Sequence, residues 1–466
     1  MAGTFFGINV AASGLAAQRA AMDVLSQNIA HASDPSYKRQ RLVLSEGLPL
    51  AQAQEANGIG TAIIGSGVKA GAVQRVRDSL IERRLLISGQ ASAQYDFMNK
   101  TLRQLEAAIG EPSNNGFQSD LDAFWAAWSK VAGSPDSISI RGSLLDDAQA
   151  MCSRIQYIYH QMRSSIDDLN MTATNAVYNI NQITQEIANI NHQVAALPSN
   201  TMESNDLMNR RDALVQQLST MAAVGQYGDD GGSFVLTLGG RVLVHGNRAQ
   251  QLTTGVEPNG NRSILWAEDG QKVTIQGGEL KALQDLRETT IPGYMDLLDN
   301  LAASLVEQVN SLHRTGITST GEAGGDFFRA GSTAADISLD ASIIDQPKLV
   351  AASSTADGED SEIAWAIADL KDRVDASSGL TINGLYRQLV GAIGSDCATS
   401  AQQSTAHHLS YQQFLSQQQS ISGVSLDEEM TNMIKFQQSY NASSRVLTVM
   451  DDMLSTLIER TGTVGR

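Results

Sequence analysis

The chain is short of cysteine, of aromatic side chains and of positive charge, and each shortage closes off a class of protein. Its two cysteines, Cys152 and Cys397, lie in unrelated segments at no ligand spacing, which argues against a disulfide scaffold and leaves them as buried thiols. Aromatics are 5% of residues while Ala, Ser, Gln and Asn are abundant. That balance disfavours one large globule and favours long, thinly packed helices. Lys and Arg number 33 against 50 Asp and Glu, for a formal net charge of -17. Such an excess of carboxylates excludes non-specific binding to nucleic acid or to an anionic membrane, both of which need clustered cations. No apolar run approaches the roughly 20 residues that span a bilayer, so membrane insertion is not expected. A cleaved signal peptide is not expected either, because Met1 to Met22 lacks a cationic start and Asn9, Ser13 and Gln18 interrupt its apolar positions. On these grounds alone the chain reads as cytosolic.

Recognisable chemistry is missing as well. The seven histidines, His31, His160, His192, His245, His313, His407 and His408, show no i, i+4 pair and no zinc-type partners. There is no Gly-x-Ser-x-Gly elbow, no His-Glu-x-x-His and no dinucleotide fingerprint. Gly60 and Gly65 have the separation of a phosphate loop, but Ser66-Gly67 stands where Lys-Ser/Thr would be needed. Asp357-Gly358-Glu359-Asp360 lacks the alternating ligands of a calcium loop and reads as a solvated turn. Phe117, Leu121, Phe124, Trp125 and Trp128 recur at helical spacing without interleaved cations, the pattern of core packing and not of base stacking. No catalytic residue, cofactor or metal is implied, and an enzyme is the disfavoured reading.

What the chain has in abundance is helical rhythm. Met433, Phe436, Tyr440, Ser443, Leu447, Met450, Leu454 and Leu457 alternate steps of three and four, a heptad seam that requires a partner helix. Ile8, Ala11, Leu15, Gln18, Met22, Leu25 and Ile29 follow the same rhythm with smaller side chains, so the two ends are expected to pair. Between them, Phe5 to Ala32 reads as helix, 41–71 as an extended linker punctuated by glycine, and Asp78 to Ile109 as helix again. The longest seam runs from Ile155 to Leu197 and stops at Pro198; Leu207, Arg211, Leu214, Leu218 and Met221 predict an antiparallel return. From Gly225 the period changes to two. Phe234 to His245 is a hairpin turning at Gly239-Gly240, and Ser263 to Ala267 and Lys272 to Gln276 read as further strands. Helix returns over 278–314, 362–374 and 381–419, while short apolar pieces in 315–360 predict strands. With 466 residues and 42% hydrophobic content, the length suggests more than one domain. The expectation is a mainly α, elongated multidomain protein with inserted β structure: a terminal coiled-coil assembly domain (1–40 plus 424–466), a long helical bundle (41–225 plus 278–314 plus 361–423) and a small β-rich outer domain (226–277 plus 315–360).

The residues beside the terminal seams carry more than periodicity. Gly423-Val424-Ser425-Leu426-Asp427-Glu428-Glu429, followed by Phe436-Gln437-Gln438-Ser439-Tyr440-Asn441, resembles the C-terminal signature of flagellar axial proteins in the form found in the first hook-associated protein family, FlgK. Asn28-Ile29-Ala30-His31, followed by a turn and Ser36-Tyr37, resembles that family's N-terminal signature, Asn-Ile-Ala-Asn with a later Gly-Tyr. Here His31 replaces an Asn, Ser33 a Thr and Ser36 a Gly, changes that touch the turn and not the helix. Leu207-Met208-Asn209-Arg210-Arg211-Asp212-Ala213-Leu214 also resembles a family segment. The resemblance implies a structural subunit at the hook–filament junction, self-associating in a helical ring through its terminal helices. The assembly seams would be Leu426, Met433, Phe436, Tyr440, Leu447, Met450, Leu454 and Leu457 at one end and Ile8, Leu15, Met22, Leu25 and Ile29 at the other. It further implies the hook protein and the next hook-associated protein as neighbours, an export chaperone at the C-terminal helix, and an extracellular destination in the flagellum reached through its type III export channel. The alternatives are another rod or hook subunit, or a secreted helical effector or translocator. If export leaves the chain unprocessed, protein recovered from sheared flagella should begin at residue 1 or 2 by N-terminal sequencing; a terminus trimmed by about twenty residues would contradict this.

Overall fold

Most of the helical periodicity becomes helix. The computed structural model describes residues 3–47, 50–51, 63–64, 67–110, 116–228, 234–258, 260–355, 360–375 and 378–461. The phosphate-loop spacing at Gly60, Gly65 and Ser66 and the Asp357–Glu359 cluster lie outside them. The chain divides into two compact units: Met1–Gly89, Ile180–Gln251 and His408–Arg466 form one, Gln90–Asn179 and Leu252–His407 the other. The helices α2 (Ser79–Ile109), α4 (Ile138–Ala196) and α9 (Ile382–Ser422) contribute residues to both.

The first unit contains α1 (Gly3–Ala30), β1 (Gln40–Glu46), β2 (Leu50–Ala51), β3 (Ile63–Ile64), β4 (Val68–Arg75), α5 (Met202–Met221) and α10 (Leu426–Thr461). It also holds an antiparallel sheet of β5 (Val224–Tyr227), β6 (Val235–Leu238), β7 (Arg241–His245) and β8 (Arg248–Ala249). The linker expected over 41–71 is instead partly paired. β1 runs antiparallel to β4 from Gln40–Arg75 to Glu46–Val68, with an irregularity at Val43/Leu44, and β2 pairs with β3. Glycine had masked the β period without preventing the ladder, since Gly71 is accommodated inside β4. The β6–β7 turn is as predicted: Gly239 and Gly240 take φ of 58° and 85°, which a two-residue hairpin needs and which glycine adopts without strain. The end of α4 and the start of α5 form the expected antiparallel pair. Arg210 reaches back to Glu186 and Arg211 to Asn191, over Ile190, Val194 and Met208.

In the second unit, α3 (Phe117–Gly133) buries Phe117, Leu121, Phe124, Trp125 and Trp128 against Phe327, Phe328 and Tyr386. These aromatics are core. Around them lie α4, α7 (Ile291–His313), α8 (Glu362–Ala368) and α9, with Ile155, Met162, Leu298, Leu305 and Leu389 among the fully or nearly fully buried side chains. Each such burial contributes roughly 1.5–3 kcal/mol before entropy is counted. α6 (Glu279–Asp285) joins α7 through one π turn, Leu286–Thr290. β9 (Leu252–Val256) pairs antiparallel with β10 (Arg262–Trp266), while the expected Lys272–Gln276 strand is reduced to a single bridge at Lys272.

The strands expected in 315–360 are likewise replaced, among the described residues, by isolated bridges and a 3-10 turn at Pro347–Leu349. Two polar side chains of α7 hold this segment. Asn310 Oδ1 accepts the Phe327 and Phe328 amides at 2.9 and 2.8 Å, and its Nδ2 donates to the Phe328 carbonyl at 2.8 Å. His313 Nδ1 lies 2.7 Å from the Gly325 carbonyl, and Nε2 accepts the Ala351 amide at 2.8 Å. The carbonyl requires a donor and the amide an acceptor, which fixes the neutral Nδ1–H tautomer. Backbone groups that would pair in a sheet are satisfied by these side chains.

Burial holds the His313 pKa below its ordinary value, with Arg141 acting in the same direction, against the Gly325 carbonyl and Asp326, which favour the cation. A histidine depressed in the folded state gives stability that is complete above its unfolded pKa and lost as pH falls from there toward the folded pKa. Wild type is therefore expected to lose more thermal stability than His313→Gln below about pH 6.5, although the substitution itself costs about 2 kcal/mol at pH 7.5. Parallel Tm–pH curves would refute this.

Candidate functional site at the paired chain termini

The signature residues of the two ends meet in the first unit. α1 and α10 pack antiparallel: Gly7 lies against Met450, Gly14 against Ser443, and Asn28 bonds Glu429. The face of α1 turned to α10 thus steps by sevens through Gly7, Gly14, the buried Ala21 and Asn28. It lies one residue before Ile8, Leu15, Met22 and Ile29 of the anticipated series, whose Ala11 is buried. Ile8, Leu15, Met22 and Ile29 are half-buried and flank the contact line, and Leu25 is buried. Glycine and alanine set the line because they admit the closest approach of two helices. On α10, Met433, Phe436, Leu447, Met450 and Leu454 are half-buried, whereas Leu426, Tyr440 and Leu457 stay exposed. Beside this seam Met430, Ile434, Val446, Val449, Met453 and Ile458 are each between 48 and 69% exposed.

At the far end of the pair a polar network replaces apolar packing. Asn28 is fully buried and uses its whole hydrogen-bonding capacity. Its Nδ2 donates to the Gln40 carbonyl and to Glu429 Oε2, and its Oδ1 accepts from Tyr37 Oη and the Gln40 amide, all at 2.9 Å. One side chain thereby ties α1, the turn after it, β1 and α10. Burial, with Asp206 and Glu429 nearby, raises the Tyr37 pKa above its usual value despite a Gln40 hydrogen bond that lowers it, so the phenol stays protonated as the donor. The departures from the family turn are accommodated. His31 stacks on Tyr37 with centroids 4.9 Å apart, and Asp34 Oδ1 accepts from the Ser36 amide and hydroxyl at 2.8 and 2.7 Å.

Two further tiers bind this knot to α5. Gln40 Nε2 donates to Asp206 at 2.9 Å, Gln27 to the same carboxylate at 3.1 Å, and Asn205 to Gln40 Oε1 at 3.1 Å. Below them the Lys38 ammonium sits between Glu82 and Asp212, and Arg75 Nη1 is 2.7 Å from Asp212. Burial alone would raise the Asp212 pKa; Lys38, Arg75 and Arg211 outweigh it and hold the carboxyl well below the usual range. Arg211 is itself buried, with its guanidinium 3.9 Å above the Phe234 ring.

The start of α10 completes the site. A Cβ on Gly423 would fall 2.3 Å from the backbone oxygen of Gln419, so only glycine fits where α9 ends. Asp427, Glu428 and Glu429 occupy the first turn of α10, where carboxylates oppose the helix dipole favourably. Glu428 pairs with Arg39 at 2.7 Å while Glu429 turns inward to Asn28. Val424 is half-buried; Ala30 and Asp427 are exposed. A groove of about 380 Å³ beside the network is lined by Tyr37, Lys38, Leu85, Val215, Ser422 and Val424. Its lysine is neutralised by Glu82 and Asp212. Among the described residues no cluster of His, Cys, Asp and Glu could hold a metal, and no helix is long and apolar enough to cross a membrane. Asp206, Asn205, Glu82 and Arg75 carried no sequence signal: each is remote along the chain from the residue it serves.

The family model described as the flagellar hook-associated protein FlgK helical domain matches residues 102–328, and that of the flagellar basal body rod FlgEFG protein C-terminal matches 412–460. The chain is 28% identical to flagellar hook-associated protein 1 of Bacillus subtilis strain 168, over 100% of both chains. It is 24% identical to the protein of that name in Salmonella typhimurium, over 97% of this chain and 99% of the relative. It belongs to the flagellar hook-associated protein family. The solved flagellar hook junction protein FlgK of Burkholderia pseudomallei shares the fold, with a TM-score of 0.65 at 16% identity over 72% of this chain and 100% of that one. Like its relatives in the hook-associated family, the chain is a structural flagellar protein and not an enzyme. Asn28→Asp should destabilise the terminal pair by about 3 kcal/mol, because it sets a second carboxylate against buried Glu429. Glu429→Gln in the same chain should restore about half of that. Thermal unfolding of the two variants checks the coupling, and additive losses would contradict it.

Proposed function

We propose that the chain is a self-assembling subunit of the hook–filament junction and that the α1–α10 pair is its assembling element. The observation that carries this reading is an apolar stripe of distal α10, where Val446, Val449, Met453 and Leu457, at steps of three and four along one side, remain exposed beside the face that α1 covers. Contiguous apolar side chains left in water along a helix mark a contact surface. Relatives named hook-associated protein 1 and a structure titled as a hook junction protein support placing that surface at the junction. The match to the FlgK helical domain over 102–328 favours this over a rod or hook subunit. On this reading the neighbours are further copies in a helical ring, the hook protein and the next hook-associated protein. The chain travels through the flagellar export channel without a cleaved signal, with an export chaperone on the C-terminal helix, and ends outside the cell.

Val449 is 51% exposed, so Val449→Asp should change the stability of the free chain by no more than about 0.5 kcal/mol. Where a neighbour packs, an unpaired carboxylate costs about 3 kcal/mol per subunit, and the loss recurs at every copy. The variant should be exported at the normal level yet be absent from sheared flagella, and such cells should release filament subunits into the medium. A variant that is present in flagella at the wild-type level would overturn the reading. Leu447→Asp, within the intramolecular seam, should by contrast also loosen α1 from α10 in the free chain.

A further inference from the structure

The first unit carries a second unpartnered helix face, and it differs in charge from the first. At the start of α2, Leu80 and Ile87 are 68 and 59% exposed; seven residues apart, they lie on one side of the helix. Between them Arg83 and Arg84 are exposed. Neither forms an ion pair among the described residues, and the Arg84 guanidinium rests 5.9 Å from the Phe414 ring centroid. Glu82, the carboxylate in this stretch, faces Lys38 and Arg77. In a chain of net charge -17, two adjacent unpaired arginines between two exposed aliphatic side chains form a basic, apolar face without a local counter-charge.

The distal half of α10 has the complementary character. From Arg445 to Glu459 its charged residues are Arg445, Asp451, Asp452 and Glu459, all exposed; past Arg445 the edge of the stripe formed by the exposed Val446, Val449, Met453 and Leu457 carries Asp452 and Glu459. We infer that the Leu80–Ile87 face of α2 is the seat for this acidic, apolar stripe of α10 from a second copy of the chain, an inference that rests on the self-assembly proposed above. Val446 and Met453 are spaced by seven residues, as are Leu80 and Ile87. Two helices laid together in that register cover all four side chains and bring Arg83 and Arg84 within about one turn, roughly 5.4 Å along the axis, of Asp452 at the edge of the stripe. The two faces lie on different parts of the chain, so the contact is heterologous. Each copy keeps one face free for the next, and association proceeds to a ring or helix instead of stopping at a dimer.

The test uses the full chain in its own bacterium. Ile87→Cys and Met453→Cys are combined, and sheared flagella are oxidised; a ladder of linked chains is expected on a non-reducing gel, absent from either single variant. Separately, Arg83→Glu should lower the amount of chain in sheared flagella about tenfold with export unchanged, and Asp452→Lys in the same chain should restore it to within about twofold. Wild-type chain missing from flagella would overturn the junction reading itself. Wild-type chain present, with Arg83→Glu neutral or unrescued by Asp452→Lys, would overturn this inference alone, as would an oxidised double-cysteine chain that runs as a cross-linked monomer. Should the double-cysteine chain fail to enter flagella, the charge exchange decides.

Discussion

The four hydrogen bonds of Asn28 are the constraint on which the terminal architecture depends. A fully buried amide with every donor and acceptor used is stable only when all its partners are in place, because each one withdrawn leaves a polar group buried without compensation. Those partners come from the turn at Tyr37, from the first residue of β1 and from the first turn of α10. The arrangement is all or none. It converts residues 401 positions apart, Asn28 and Glu429, into neighbours whose relative placement is fixed to one hydrogen-bond length.

Charge extends the same logic outward. Lys38 between Glu82 and Asp212, with Arg75 on the far side of Asp212, places buried charges where a single missing member would leave the others uncompensated. Such a cluster contributes little net stability compared with an apolar core of equal volume. Its value lies in directionality, because the planar guanidinium of Arg75 presents its donors to the Asp212 carboxylate in few geometries. In the second unit Asn310 and His313 do comparable work on uncharged backbone, holding the 325–328 and 351 segments by their amides and carbonyls.

Much of this was legible in the sequence, and the remainder failed for identifiable reasons. Three-and-four periodicity located the helices, since large aliphatic side chains report burial directly, and Gly239-Gly240 announced the hairpin because its φ values leave little choice. The same periodicity puts the α1 seam along Ile8, Ala11, Leu15, Gln18, Met22, Leu25 and Ile29; Ala11 and Leu25 are buried, while the line nearest α10 passes through Gly7, Gly14 and Asn28, residues that a hydrophobicity count ignores. The β1–β4 ladder was hidden by glycine. The strands anticipated beyond residue 315 were inferred from short apolar pieces, yet Ile337 and Ile343 are anchors for an irregular segment in the core. Signature residues pointed at Asn28, Tyr37 and Glu429 individually. That they form one network is a fact of tertiary structure, and nothing local encodes it.

The polar knot also explains why a seam of glycine and alanine can be used at all. Small side chains let α1 and α10 approach closely, but they specify register poorly, because sliding by a heptad exchanges one small residue for another at little cost. Here a slip would strand Asn28 and Glu429 in the interior without each other. Register is therefore set by polar satisfaction at one end of the pair, and the rest of α10 is relieved of that task. Its large apolar side chains need not face α1 to hold the helix in place, and Val446, Val449 and Met453 stand in solvent beside a seam that is already determined.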